Sequence, residues 1–340
     1  MTRQLIYPEG SWVALITPFD KKGDLDIDGF KKLVDFQSAN GTNGLLLMGS
    51  TGEPTGLTIE ERRTIIAEMV PYCREKISTF FGVTCGTTAA TIELARFVQE
   101  KGGDGIMIVV PPYIAPPQPA VYEYLKAVCQ AVDLSVAIYN NPARVIVNMD
   151  PATIIRLAGE CPNLVADKEA MPNMAQLASV MEGTGGRIRL LCCDAPNYAL
   201  TIPTLGMGGH GTANVTGNVA PAEMAAMSRP WKSWEDVERG RKLYFENLPL
   251  MEAAYSATNP VAIKAMVKLL GLPAGDPRPP LPAISSDKLK ALEAVIDRLG
   301  LRSKYNLSPE SAVKSPRPQT GSEEPLSAHQ GGPSGPDKVT

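Results

Sequence analysis

The feature that most constrains the fold of this 340-residue chain is a regular alternation of short apolar runs with amphipathic stretches. Up to about residue 225, each apolar run is followed by a segment with helical periodicity. Repeated βα units form parallel sheets, and eight of them close a barrel. The predicted strands are Trp12–Ile16, Gly44–Met48, Ser78–Val83, Gly105–Val110, Ser135–Tyr139, Leu164–Lys168, Arg187–Cys192 and Gly211–Asn214.

Beyond residue 225 the predicted strands stop and helical patterns continue. These helices contain too few residues for an independent core, so we expect them to pack on the barrel. The last residues are rich in Ser, Pro, Gly and charge and poor in aromatics, a composition typical of disorder. The predicted fold is a (β/α)8 TIM barrel at residues 1–225, with a C-terminal helical extension at 226–305 and a disordered tail at 306–340.

Charge and residue usage exclude several function classes. The net charge is −3 and no Lys/Arg-rich run is present, so we expect neither a nucleic-acid nor a membrane partner. Six scattered cysteines and two histidines argue against a metal site or a Ser-His mechanism. We expect no metal and no other cofactor. No apolar run is long enough to span a membrane or to serve as a signal peptide, which predicts a cytoplasmic protein.

Lys168 ends the sixth predicted strand, in the stretch Val-Ala-Asp-Lys-Glu. A lysine in a buried strand is costly when charged, and desolvation lowers its pKa toward the neutral amine that attacks carbonyls. Catalytic side chains of parallel barrels project from the carboxyl ends of the strands. Lys168 is therefore predicted to be a nucleophile that forms a Schiff base with a 2-oxo acid.

Other strand ends carry matching chemistry. Tyr139 ends the fifth strand, one βα repeat before Lys168, so the two should emerge side by side about 5 Å apart. A phenol both donates and accepts protons, as an iminium mechanism requires. Arg144 follows the same strand and can hold a carboxylate in a bidentate pair. Ser50 and Thr51, in the turn Gly-Ser-Thr-Gly-Glu after the second strand, can hold a small carboxylate.

As an ordered set, these motifs resemble the family of dihydrodipicolinate (4-hydroxy-tetrahydrodipicolinate) synthases and N-acetylneuraminate lyases. The resemblance covers about residues 10–300. It is carried by Ala-Leu-Ile-Thr-Pro-Phe at 14–19, Gly-Ser-Thr-Gly-Glu at 49–53, Tyr-Asn-x-Pro-x-Arg at 139–144, Lys-Glu at 168–169, Gly-Gly-His-Gly at 208–211 and Asn-Pro-x-x-x-Lys at 259–264.

The resemblance implies a role for each matched residue. Lys168 would be the Schiff-base lysine for pyruvate, and Tyr139 the phenol that assists proton transfer. Ser50 and Thr51 would contact the pyruvate carboxylate, with backbone from Ala213 in the same pocket. It also implies a homotetramer or homodimer that acts on pyruvate and an aldehyde.

Arg144 resembles the synthase branch, in which an arginine at this place binds the carboxylate of the aldehyde. Two positions depart from that branch: Ser50 stands where the synthases have threonine, and Ile114 stands where they have a second relay tyrosine, for which Tyr113 is the candidate replacement. The best single prediction is 4-hydroxy-tetrahydrodipicolinate synthase. An aldolase or dehydratase for 2-oxo-3-deoxy sugar acids or 4-hydroxy-2-oxoglutarate, and a non-catalytic 2-oxo acid sensor, remain alternatives.

Overall fold

Eight parallel strands, β1 to β8, pair in chain order and β8 pairs back with β1, closing a barrel in this computed structural model. The structure describes residues 4–195 and 199–307. The predicted (β/α)8 barrel is confirmed, and the predicted strands agree within one or two residues at each end. The strands are β1 Gly10–Ala14, β2 Gly44–Leu47, β3 Ser78–Gly82, β4 Gly105–Val109, β5 Ser135–Asn140, β6 Leu164–Glu169, β7 Arg189–Cys192 and β8 Gly211–Asn214.

Helices follow the strands and surround the barrel. Several begin at strong start signals: at Thr58 a capping box forms with Glu61, and Pro151 occupies the first turn after Asp150. The helices are α1 Ile27–Ala39, α2 Ile59–Cys73, α3 Thr88–Lys101, α4 Gln118–Gln130, α5 Pro142–Val145, α6 Pro151–Glu160, α7 Met174–Thr184, α8 Thr201–Gly206, α9 Pro221–Met227, α10 Trp234–Ala254, α11 Val261–Leu269, α12 Ser286–Arg298 and α13 Leu301–Lys304.

Both faces of the strands are buried, which explains why the strands are near-continuous apolar runs rather than alternating ones. The outward faces pack on the helices in a large cluster that includes Phe30, Ile65 and Leu125. The inward faces form a second cluster inside the barrel, where the rings of Trp12 and Phe80 meet edge to face at 4.8 Å. The barrel is therefore a filled core, and a site can form only at its rim.

The helices after β8 contact the barrel and one another, with α9 against β1. Helix α10 lies against α8, α9, α11 and α12. Helix α9 spans residue 225, where the sequence suggested the barrel would end, and the proposed boundaries at 225 and 305 stay predictions. Residues 308–340, which contain nearly all of the expected tail, lie outside the described residues. In the part of the chain that the structure describes, no helix is long and apolar enough to cross a membrane.

Candidate active site

Lys168 lies at the carboxyl end of β6, with its side chain inside the barrel rim. The strand register pairs it with Tyr139 on β5, as predicted, and with Leu191 on β7. Lys168 is 4% exposed, and its Nζ lies 4.2 Å from the centroid of the Tyr139 ring. Burial lowers the pKa of Lys168 because the ammonium form loses its hydration. The environment thus favours the neutral amine that a nucleophilic role requires.

The hydroxyl of Tyr139 has an amide and a thiol as neighbours. It accepts a hydrogen bond from Asn141 Nδ2 at 2.5 Å, and Cys193 Sγ lies 4.0 Å away. Burial raises the pKa of the Cys193 thiol to about 11, so this neighbour is uncharged at neutral pH. A phenol held by an amide donor next to a buried amine is suited to passing protons at that amine.

A polar network behind the strand ends fixes β5 and β6 relative to each other. Glu169 points away from the barrel interior and accepts hydrogen bonds from Asn140 Nδ2, Gln176 Nε2 and the Met171 backbone N–H. Asn140 also donates to Asn148 Oδ1 at 2.8 Å. These bonds join Asn140 and Glu169, the residues that directly follow Tyr139 and Lys168. They stabilise the strand register in which Tyr139 and Lys168 lie opposite each other.

Asp167 is a second buried carboxyl of β6, next to Lys168 in sequence. Its side chain is fully buried on the helix side of the strand, and neither oxygen has a hydrogen-bond partner among the described residues. Burial, followed by the charge of Glu169, raises the pKa of Asp167 well above its usual value. Glu169 receives the donors, so Asp167 is the carboxyl that stays protonated.

This arrangement predicts a pH-dependent stability. Because the folded-state pKa of Asp167 is raised, its contribution is fully present below the ordinary carboxyl pKa and is lost as pH rises toward the raised pKa. The melting temperature of Asp167→Asn, which cannot ionise, should therefore be close to that of the wild type near pH 4 and should exceed it by a growing margin as the pH rises toward 8.5. Thermal melts of both proteins across this pH range measure the difference. A difference in melting temperature between the two proteins that is the same at every pH would contradict the assignment of Asp167 as the protonated carboxyl.

The turn after β2 lies against the ends of β1 and β3. Ser50 and Thr51 begin a short 3-10 turn, and the hydroxyl of Thr17 donates to Gly52 O at 2.7 Å. A side chain at Gly82 would place its Cβ 2.2 Å from Met48 O, so only glycine lets β3 approach this turn so closely. Ser50 is half-buried and Thr51 is 1% exposed, and both lie in the turn that follows the carboxyl end of β2.

Residues in and around helix α11 contact the turn after β2. Asn259 Nδ2 donates to Thr51 Oγ1 at 3.0 Å. Glu53, at φ 54°, accepts from the fully buried Lys264 Nζ at 2.7 Å and from the Arg278 backbone N–H at 2.8 Å. A buried ion pair with further hydrogen bonds fixes geometry even where its net contribution to stability is small. The helical extension therefore takes part in shaping the site.

The remaining predicted residues fall into two groups. Ala213 is buried on β8 inside the barrel, and the exposed Arg144 lies on α5, from which its charge reaches Lys168. The second group is exposed in the single chain: Tyr113 is 90% exposed and Ile114 is 61% exposed. Tyr113 has φ 80°, a conformation that is strained for a tyrosine.

Sequence reasoning missed three residues at the rim. Cys193 and Asp194 follow β7, and the strand-end rule applied to β7 would have found them. Tyr255, at the end of α10, donates its hydroxyl to Asp194 Oδ1 at 2.8 Å, and no local pattern indicates this contact. The side-chain amide oxygens (Oδ1) of Asn141 and Asn259 are also buried without a hydrogen-bond partner in the described part of the chain. No three His, Cys, Asp or Glu side chains within 4–195 and 199–307 form a metal-ligand cluster.

Comparison with known proteins gives a consistent result. The signature of the dihydrodipicolinate synthetase family matches residues 7–299. The 4-hydroxy-tetrahydrodipicolinate synthase of Methanocaldococcus jannaschii is 33% identical over 293 residues, which cover 86% of this chain and 99% of that protein. Among solved structures, dihydrodipicolinate synthase from Aquifex aeolicus superposes with a TM-score of 0.82 at 33% identity, over 86% of this chain and 99% of that one.

A second solved structure, of a monomeric dihydrodipicolinate synthase variant, superposes with a TM-score of 0.80 at 31% identity, over 86% of this chain and 97% of that one. Both the sequence match and the structural match extend over the barrel and the helices after it. With a family signature that covers most of its length and relatives above 30% identity, the chain belongs to the dihydrodipicolinate synthetase family.

Proposed function

We propose that this protein is a pyruvate-dependent lyase of the lysine Schiff-base type, and that it is a 4-hydroxy-tetrahydrodipicolinate synthase that condenses pyruvate with aspartate semialdehyde in lysine biosynthesis. The observation that carries the proposal is the buried Lys168 amine 4.2 Å from the ring of Tyr139 at the carboxyl rim of a parallel barrel. The relatives named as this synthase support the choice of substrate.

In the proposed reaction, the lone pair of Lys168 Nζ attacks C2 of pyruvate, and water leaves to give a protonated C=N bond. Tyr139 supplies the proton for the leaving oxygen and later accepts one. Loss of a proton from C3 converts the iminium to a neutral enamine. The enamine carbon attacks the aldehyde carbon, the aldehyde oxygen takes up a proton, and the iminium forms again. The amino group of the aspartate semialdehyde part then attacks C2 of this iminium, closes a six-membered ring and displaces Lys168 Nζ, and loss of one proton leaves the cyclic imine product and the free amine.

Two carboxylates need partners in this scheme. The Ser50 and Thr51 hydroxyls and turn backbone, with backbone from Ala213, would bind the carboxylate of pyruvate close to Lys168. Arg144, on the outer side of the rim, would bind the carboxylate of the aldehyde. The separation of these groups on β2 and after β5 would place the two substrates on opposite sides of Tyr139.

The test is incubation with pyruvate and a panel of aldehydes, with product detection by mass spectrometry. Aspartate semialdehyde should give a condensed product faster than any other member of the panel. A parallel incubation contains 4-hydroxy-2-oxoglutarate or a 2-oxo-3-deoxy sugar acid without pyruvate. Cleavage or dehydration of either compound at a higher rate than the condensation would identify the aldolase or dehydratase alternative instead. Imine formation without any product would identify a 2-oxo acid sensor.

Arg144→Ala should raise the KM for the carboxylate-bearing aldehyde roughly 10-fold or more, because a bidentate charge-assisted pair is lost on that side only. Steady-state kinetics with pyruvate and each aldehyde measure this effect. The KM for pyruvate and the rate with a neutral aldehyde serve as internal controls and should change little. Equal losses for all three substrates would show that Arg144 acts in folding or assembly.

We further propose a cytoplasmic homotetramer or homodimer in which Tyr113 takes the place of the relay tyrosine absent at Ile114. The exposure of both side chains and the strained backbone of Tyr113 support an interface at this part of the rim. Light scattering after size-exclusion chromatography tests the assembly. A monomer with full activity would contradict it.

A further inference from the structure

Asp194 is a buried carboxylate that the reaction scheme above does not use. It is 1% exposed and lies two residues beyond the end of β7. Its oxygens accept hydrogen bonds from the backbone N–H groups of Val215 and Thr216, at 3.0 and 2.9 Å, and from the hydroxyl of Tyr255 at 2.8 Å. Within the described part of the chain, the hydrogen-bond partners of these oxygens are three donors and no acceptor, which suits an ionised carboxylate.

Asp194 also lies beside the end of β6, because Lys168 pairs with Leu191 on β7 and the backbone N–H of Cys193 donates to Glu169 O at 3.1 Å. Among residues 4–195 and 199–307, the titratable and charged groups that act on Lys168 from neighbouring elements are the phenol of Tyr139, the exposed guanidinium of Arg144, the thiol of Cys193 and the carboxylate of Asp194 with its partner Tyr255. On the strand of Lys168 itself, Asp167 and Glu169 lie on the opposite, helix-facing side.

The charges of these groups have opposite effects. After burial, which lowers the pKa of Lys168, the thiolate form of Cys193 and the charge of Asp194 would raise it, while Arg144 lowers it. Because burial raises the pKa of Cys193 to about 11, that thiol stays neutral at neutral pH. Asp194 therefore remains as the negative charge that acts on the amine.

We propose that Asp194, held in place by Tyr255, is the fixed counter-ion of the protonated Schiff base at Lys168. The inference rests on the proposed function, because the positive charge it balances exists only when an iminium forms. An iminium buried in a low-dielectric rim is costly without a nearby negative charge. Within the described residues, Asp194 makes no hydrogen bond or ion pair with Lys168, because its oxygens are occupied by other donors. It can thus stabilise the iminium without holding the free amine as an ammonium ion.

The variant Asp194→Asn removes the charge with little change in size. Without the negative charge the ammonium form of Lys168 is less stable, so the acid limb of kcat/KM for pyruvate should move to lower pH. The iminium is destabilised by the same loss, so the fraction of enzyme trapped by borohydride at saturating pyruvate should fall roughly 10-fold, as for the loss of a preorganised charge. Asp194→Asn should thus lower the pH of the acid limb and also lower the fraction of trapped enzyme. General damage to the fold would not produce this combination.

Matched variants isolate the charge. Asp35→Asn changes an exposed aspartate on α1 that also accepts a tyrosine hydroxyl, from Tyr72 at 2.6 Å, and it should behave as the wild type. Asp194→Glu keeps the charge and should restore the position of the acid limb. Arg144→Gln removes a positive charge and should move the limb in the opposite direction, to higher pH.

Tyr255→Phe provides a second measurement if Asp194→Asn does not fold. It leaves the carboxylate charged and removes only the phenol that shares that charge, so the acid limb should stay in place or move to higher pH. A shift to lower pH in Tyr255→Phe would overturn the proposal. So would an unchanged acid limb and unchanged trapping in a folded Asp194→Asn. If wild-type enzyme yields no trapped pyruvate adduct at all, the proposed function fails, which is a separate outcome.

Discussion

Lys168→Met is expected to reduce turnover by roughly 10⁴-fold or more, because the covalent route is lost together with its nucleophile. The reason is structural: Lys168 is the buried amine beside Tyr139 at the rim, and burial lowers its pKa toward the reactive neutral form. Borohydride added in the presence of pyruvate should reduce an adduct onto Lys168 of the wild-type protein and onto no lysine of the variant. Peptide mass mapping locates the adduct.

Lys31→Met is the matched control, because Lys31 lies on the outer helix α1 and pairs with Glu68 at 3.2 Å. It should retain the adduct and the wild-type rate. Lys168→Arg tests whether a positive charge alone suffices, and it should be as inactive as the methionine variant. An adduct found only on other lysines would remove the Schiff-base mechanism for this site.

Tyr139→Phe should slow turnover by roughly 10²-fold or more, which is the usual contribution of a positioned acid or base. The ring that lies 4.2 Å from Lys168 Nζ is kept, and only the hydroxyl that accepts from Asn141 is lost. The KM for pyruvate should therefore change less than kcat. Steady-state kinetics, with single-turnover trapping of the imine, separate the two effects.

Tyr124→Phe is the control for this experiment. Tyr124 is also buried, but it lies on α4, where its hydroxyl contacts Thr91 Oγ1 on α3 at 3.4 Å. It should keep the wild-type rate with at most a small loss of stability. If Tyr139→Phe turns over as fast as Tyr124→Phe, the Tyr139 hydroxyl is structural.

The pairing of Tyr139 with Lys168 was predictable because it depends only on local periodicity. Each lies at the end of an apolar run, and the runs are joined by one helical segment of ordinary length. Parallel strands in consecutive βα units are neighbours, so two side chains at equivalent strand ends must meet. The observed register, with Tyr139 opposite Lys168, follows from these rules.

The contacts made by the C-terminal helices were not predictable in the same way. Tyr255 reaches Asp194 across 61 residues of sequence, and Lys264 reaches Glu53 across 211. Nothing in the segments around these residues indicates which part of the barrel each helix packs against. The conformation of Tyr113 is a further case, because a positive φ at a tyrosine contradicts its local preference.

The sequence by itself determined the barrel, the order of its strands and the residue types at the carboxyl rim, because apolar periodicity and strand-end position are local properties of the chain. Only the tertiary structure decided the charge environment of these residues. Asp167 and Glu169 are both buried carboxyls on one strand, yet Asn140 on β5 and Gln176 on α7 donate to Glu169, and no donor reaches Asp167 among the described residues. Protonation depends on burial and on neighbours brought together by folding, which no stretch of sequence contains.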